Sequence, residues 1–260
     1  MPGGRAGGGL LSLLEAIAVA LAGVGAGTIN AVVGSGTLIT FPVLLAVGYA
    51  PVVANVSNSL GLVPGSFAGI VGYRRELRGQ RSRIVRLGSA SFTGGIVGAV
   101  LLLVLPAEAF EVIVPVLIAI ALVLIVLQPR LAQRLAARRP PGHEPGAPLL
   151  AGIFGTGVYG GYFGAAQGIL LLGIMGAALP DDLHRINALK NVLAAIVNLV
   201  AGVVFVLVAD VAWEAVALVA AGSVVGGSLG GRYGRRLPPP VLRAVIIVVG
   251  VFAIVRLVAG

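Results

Sequence analysis

The sequence contains no cysteine, and only two histidines, His143 and His184. Disulfides, thiol catalysis and thiolate metal sites are therefore excluded. Nine acidic residues and two histidines leave little material for a metal cage. Charge is scarce as well: 10% of the residues are charged, against about 25% in a typical soluble domain. There is no Ser-His-Asp set, no His-Glu-x-x-His and no Walker loop, so the chain is not read as an enzyme or an ATP-driven pump, and no cofactor is expected.

What the chain has is apolar length. Hydrophobic residues make up 58% of it, and the mean hydropathy is +1.07. Apolar runs near the roughly 20 residues needed to cross a bilayer recur throughout. Lipid supplies no hydrogen-bond partners, so spanning segments are helices or a closed barrel. A barrel alternates polar and apolar residues over strands of about ten. Runs such as Ile96–Leu105 and Val112–Leu127 do not alternate. An all-α polytopic membrane protein follows, with the lipid bilayer as its first partner. The N-terminal stretch, with Arg5, apolar text from Leu10 and Ala20-Leu21-Ala22, has the outline of a signal peptide. Its apolar character continues into a repeated segment, so it is read as the first membrane helix.

The net charge of +9 does not indicate nucleic acid. The positive residues are mostly arginines clustered between apolar runs, as in cytoplasmic loops. The loop Arg74–Arg86 holds six arginines and one acid. The opposite turns, Pro106–Glu111 and Asp210–Glu214, hold acids and no Lys or Arg.

The chain divides at a basic, proline-containing linker, residues 128–147, into halves 1–127 and 148–260. The halves match at an offset of 132 residues. Gly23, Gly25, Gly36 and Asn55 pair with Gly155, Gly157, Gly168 and Asn187. Gly94-Gly95-x-x-Gly98 with Leu105-Pro106 pairs with Gly226-Gly227-x-x-Gly230 with Leu237-Pro238. This is an internal duplication. Each half has about five apolar segments, the second too short to span as a straight helix. It is a re-entrant half-helix or one arm of a broken hairpin. Equivalent loops differ in charge: the arginine loop corresponds to the acidic turn at Asp210. The expectation is two inverted-topology repeats, an arrangement common among secondary transporters.

Candidate site residues follow from the breaks. Gly34-Ser35-Gly36-Thr37 and Gly164-Ala165-Ala166-Gln167-Gly168 precede the short segments. Helix N-termini present backbone N–H groups and partial positive charge, so two meeting breaks suit an anion. The third segment of each half opens with residues that are costly in lipid, among them Asn55 and Asn58, then Asn187, Lys190 and Asn191. Lys190 is an intramembrane cation and the repeat equivalent of Asn58; its other reading is a side chain snorkelling to the interface. The expected substrate-binding set is Ser35, Gly36, Thr37, Asn55, Asn58, Gln167, Gly168, Asn187, Lys190 and Asn191, with no metal. Gly155-x-Gly157-x-x-Gly160 matches a dinucleotide pattern but lies in an apolar run, where small-residue spacing serves helix packing.

The stretches Gly27-Thr-Ile-Asn-Ala-Val-Val-Gly-Ser-Gly-Thr-Leu-Ile-Thr-Phe-Pro42, Ala54-Asn-Val-Ser-Asn58 and Gly161-Tyr-Phe-Gly-Ala-Ala-Gln-Gly-Ile-Leu170 resemble the TauE/SafE family of sulfite exporters. The resemblance runs from about Gly23 to Leu257 and implies transport of a small anion, a sulfur oxyanion or organosulfonate. Thr37, Ala166 and Gln167 stand where that family often has glycine. The reading is a secondary transporter in the cytoplasmic membrane with a small anionic solute as partner. The sequence allows a homo-oligomer. Its rivals are a cation or metal permease and a non-transporting scaffold.

Overall fold

The computed structural model describes residues 11–137, 146–233 and 239–258. These form ten helices in chain order: α1 (Leu13–Val32), α2 (Thr37–Ala46), α3 (Pro51–Gly72), α4 (Arg81–Val104), α5 (Ala107–Ala137), α6 (Ala147–Tyr162), α7 (Gln167–Ala178), α8 (Leu183–Val208), α9 (Trp213–Tyr233) and α10 (Pro239–Val258). Five of them, α1, α4, α8, α9 and the Ala107–Leu127 part of α5, are long and apolar enough to cross a membrane. Their outer faces carry exposed Leu, Val, Ile and Phe side chains, as membrane-facing helices do.

Local signals explain the helix starts. Ser12 caps α1 in a reciprocal box with Glu15. Pro51 opens α3, and the Asp182 carboxylate accepts from the His184 N–H at the start of α8. The arginine loop is shorter than expected because α4 begins at Arg81, and α5 continues to Ala137 through the start of the linker. Linker residues 138–145, with Arg138, Arg139 and His143, lie outside the described residues, as do Arg5, Arg235, Arg236 and Leu237-Pro238.

Glycines set the packing. α1 lies on α9, where a Cβ on Gly27 would sit 2.3 Å from the Ser223 carbonyl oxygen and one on Gly226 2.0 Å from that of Val24. α4 lies on α6 in the same way: a Cβ on Gly94 would sit 2.3 Å from the Phe154 carbonyl oxygen and one on Gly98 2.0 Å from that of Val158. Backbones this close exclude any side chain larger than hydrogen. The main helix pairings are α1 with α9 and α6 with α4, α3 with α9 and α8 with α4, α2 with α10 and α7 with α5, and α3 with α8. The set is unchanged when each of α1–α5 is exchanged for the helix five later.

The short helices fold back. Gly25 on α1 faces Ile39 on α2, 14 positions on, and Gly152 on α6 faces Ile174 on α7. Each pair is thus a helical hairpin. Leu149, Leu179, Leu87 and Ile186 share one apolar cluster, so α6 starts and α7 ends where α4 and α8 begin, at the arginine-rich end. The Leu11 N–H meets the Glu214 carboxylate at 3.2 Å, which sets the start of α1 at the acidic end.

The offset of 132 residues is not constant. At the breaks Gly34 and Gly164 are equivalent, both with positive φ (86° and 76°) and both donating to a carbonyl five residues back, Ile29 and Tyr159. That offset is 130 residues, so Gly36 corresponds to Ala166 rather than to Gly168. Helix α7 has 12 residues where α2 has 10, which restores 132 from α3 and α8 onward.

Candidate functional site

The two breaks touch. The Gly168 N–H donates to the Gly34 carbonyl at 3.0 Å, and a Cβ on either glycine would fall 2.4 Å from the other's Cα. Neither α2 nor α7 has a side-chain cap at its N-terminus. Ala166, the residue before α7, adopts the left-handed conformation at φ 60°.

The starts of α3 and α8 pack against these breaks, and their amides reach across the halves. Asn55 donates to the Tyr162 carbonyl at the end of α6, at 2.9 Å. Its equivalent, Asn187, donates to the Ala31 carbonyl at the end of α1, at 3.2 Å. Asn191 adds a second donor to Ala31 at 3.3 Å. Lys190 does not snorkel. It is fully buried, with Nζ donating to the Asn30 carbonyl at 2.9 Å and facing that of Ala31 at 3.5 Å. The ammonium sits at the carbonyl end of α1, where the helix dipole favours a cation. Asn58, the equivalent of Lys190, turns to its own hairpin instead. It donates to Thr37 Oγ1 at 3.2 Å and accepts from Thr40 Oγ1.

All ten sequence-predicted residues are buried and stand on the two breaks, the N-terminal turn of α2 or the starts of α3 and α8. Four carry a buried polar atom with no hydrogen-bond partner: Ser35 Oγ, Asn55 Oδ1, Gln167 Nε2 and Asn187 Oδ1. Such atoms are rare and costly in a packed interior, and a bound solute or water would satisfy them; Ser91 Oγ on α4, outside the expected set, is another. Two expected donors are engaged elsewhere. The Gly168 N–H is taken by Gly34, and Asn58 by the threonines.

The sequence reading missed Tyr162 and Thr40. The Tyr162 hydroxyl is another unpartnered buried group, and its ring stacks in an aromatic cluster with Phe110, Phe41 and Phe163. Thr40 was legible, since it follows Thr37 by one helical turn and shares its face. Tyr162 offered no such signal: it sits in the Gly-rich text without periodicity.

Lys190 is the only charged side chain in the buried set among the described residues. The described acids all lie partly or fully exposed. No group of three or more His, Cys, Asp or Glu among the described residues is placed to hold a metal ion.

A family model described as "Sulfite exporter TauE/SafE" matches residues 19–257. Among curated proteins, the chain is similar to "Probable membrane transporter protein YfcA" of Escherichia coli (strain K12), 27% identical over 86% of this chain and 82% of the relative. It is similar to "Probable membrane transporter protein ORF9" of Sinorhizobium sp, 27% identical over 90% and 88%. "Probable membrane transporter protein" of Haemophilus influenzae is 24% identical over 88% and 89%. No solved structure matches the chain.

Proposed function

The chain belongs to the TauE/SafE family of membrane transporters, and we propose that it carries a small anion, a sulfur oxyanion or organosulfonate, across the cytoplasmic membrane. One observation carries the anionic reading. The buried interior holds a lysine and no carboxylate among the described residues. An unpaired charge removed from water is strongly disfavoured, and an intramembrane ionisable group marks a substrate pathway by default. Two backbone carbonyls hold Lys190 in place but do not neutralise it; an anion would. Ser35 Oγ and Gln167 Nε2, on the two breaks, are unpartnered buried donors. The family's name points the same way, to sulfite.

The transport mechanism proposed is alternating access between inverted repeats, residues 1–127 and 148–260, joined by the linker 128–147. Supporting this are the packing that survives exchange of the halves and the two hairpins, which start from opposite ends of the bundle. Discontinuous helices meeting at a repeat interface are the usual frame for such sites. Because every site residue is buried, the described conformation is closed around them. Opening requires the tip of one hairpin to part from the facing half.

The test is thermal stability of the detergent-purified protein against small anions and cations, with Lys190→Ala alongside. A ligand at about 100 times its Kd stabilises by roughly 2.7 kcal/mol. The expected result is a rise in melting temperature with sulfite or a sulfonate, absent in Lys190→Ala. Stabilisation by cations alone would establish the permease reading instead. An unchanged anion response in Lys190→Ala would remove the lysine from the site.

A further inference from the structure

At the arginine-rich end, away from the breaks, α3 and α9 leave a second feature. Their last turns touch at Gly72 and Gly231, where an added Cβ would lie 2.6 Å from the facing Cα. Beside this contact is a cavity of about 740 Å³, lined in part by Val71, Arg74, Arg75, Glu76, Ser228 and Arg232. Its described lining residues include three arginines and one glutamate. The Arg74 guanidinium is braced on the Val71 carbonyl at 3.3 Å, and that of Arg232 lies 5.5 Å from the Tyr233 ring centroid. None of these residues belongs to the transport site.

We propose that this cavity is a binding site for the phosphate headgroup of an anionic phospholipid. Arginine is the side chain best shaped for phosphate, through its planar array of donors. A basic cluster at the end of membrane helices is attracted to anionic lipid. The surroundings favour a lipid over a free phosphate ion. Val71 both lines the cavity and is 58% exposed, and Phe67, one turn earlier on α3, is 47% exposed. On α9, Val225 and Leu229 are exposed on the turns leading to Arg232. Acyl chains have apolar tracks leading away from the guanidinium groups. Tyr233, 43% exposed, is the amphipathic ring expected at the headgroup level. A bound lipid would tie the ends of α3 and α9 together, one helix from each half.

The experiment uses the full chain purified from nanodiscs of equimolar phosphatidylglycerol and phosphatidylcholine, with retained lipid counted by native mass spectrometry. The wild-type protein should retain phosphatidylglycerol preferentially. The variant Arg74→Gln/Arg75→Gln/Arg232→Gln should lose roughly fivefold of that preference per arginine removed. A control variant, Arg78→Gln/Arg81→Gln/Arg86→Gln, removes equal charge from the neighbouring loop and the first turns of α4 and should keep the preference. Equal loss in both variants would mean diffuse attraction and overturn the site. Displacement of the lipid by inorganic phosphate at matched concentration would assign the cavity to a soluble anion and overturn the lipid reading. A single Arg75→Gln variant, at an exposed residue of the lining, separates loss of binding from loss of fold.

Discussion

The first hairpin ends under three side chains from α8: Lys190, Asn187 and Asn191 all reach the carbonyls of Asn30 and Ala31. The second hairpin ends under one, with Asn55 alone reaching Tyr162, beside a cluster of aromatic rings. Backbone packing is nearly the same for both. In the glycine seams of α1 on α9 and of α6 on α4 an added Cβ would clash with a facing carbonyl, and both breaks turn on a glycine with positive φ. The duplication thus shares its frame and divides its chemistry. Lys190 and two amides converge on one tip, and at the other Tyr162 and Phe163 join an aromatic cluster shared with Phe41 of the first hairpin.

The shared frame is the most fragile part. Gly34→Leu places a side chain where the Cα of Gly168 already stands 2.4 Å from the missing Cβ, on a backbone with φ 86°. Both hairpins must separate to admit it. The expected loss is on the order of 4 kcal/mol or more, seen as failure to recover monodisperse protein or as a large fall in melting temperature. Gly48→Ala is the contrast. Its φ is 95° but nothing lies within 4 Å of the new Cβ, so only the backbone strain remains, about 1–2 kcal/mol. Comparable losses in the two variants would mean that contact between the breaks does not hold the hairpins together.

The divided chemistry predicts a smaller, graded effect. Asn55→Ala strips the Tyr162 carbonyl of its cross-half donor, whereas Asn187→Ala leaves Asn191 and Lys190 on Ala31. Interhelical hydrogen bonds in membranes average about 0.6 kcal/mol and reach about 1.7. Asn55→Ala should fall near the upper figure and Asn187→Ala near or below the lower, measured by unfolding in mixed micelles. The reverse order would mean that the three donors on the first tip act as a single unit.

How legible these features were differs by kind. The ten helices were readable because lipid forces long uninterrupted apolar text, and their edges shifted mainly where arginines entered a helix, as at Arg81–Arg86. The breaks and their glycines were readable because Gly34-Ser35-Gly36 interrupts that text. The polar residues at the starts of α3 and α8 were readable because amides and a lysine are conspicuous in apolar surroundings. What the sequence concealed was direction. Asn58 and Lys190 are repeat equivalents, yet one turns to Thr37 and the other crosses to Asn30. The two-residue excess in α7 was hidden too, since matched glycines are plentiful enough to support an offset of 132 where the backbone uses 130. Side-chain direction depends on packing across elements far apart in the chain, which periodicity does not encode.

The arginine-rich end offers the finest test of how the halves are joined. Asp181, before α8, accepts from Arg83 of the first half at 2.6 Å and from Arg185 of its own at 2.9 Å. Partial burial by itself would raise the Asp181 carboxyl, but the Asp182 N–H and the two guanidinium groups outweigh it, and the carboxyl is held below its ordinary value of 3.8. A group depressed in this way contributes stability that is present above the unfolded value and is lost as the pH falls through the folded one. The pair is part-exposed, so the contribution is small and screened by salt. Between neutral pH and about 4 the wild-type protein and Asp181→Asn should therefore differ by a small, constant margin. Below that range the wild-type advantage should shrink as the carboxyl is protonated. Melting curves of both proteins across this range decide the matter. A margin that persists at the acid end would mean that Asp181 acts through its N–H and carbonyl neighbours rather than its charge, and that the two halves are not latched by the Arg83 ion pair.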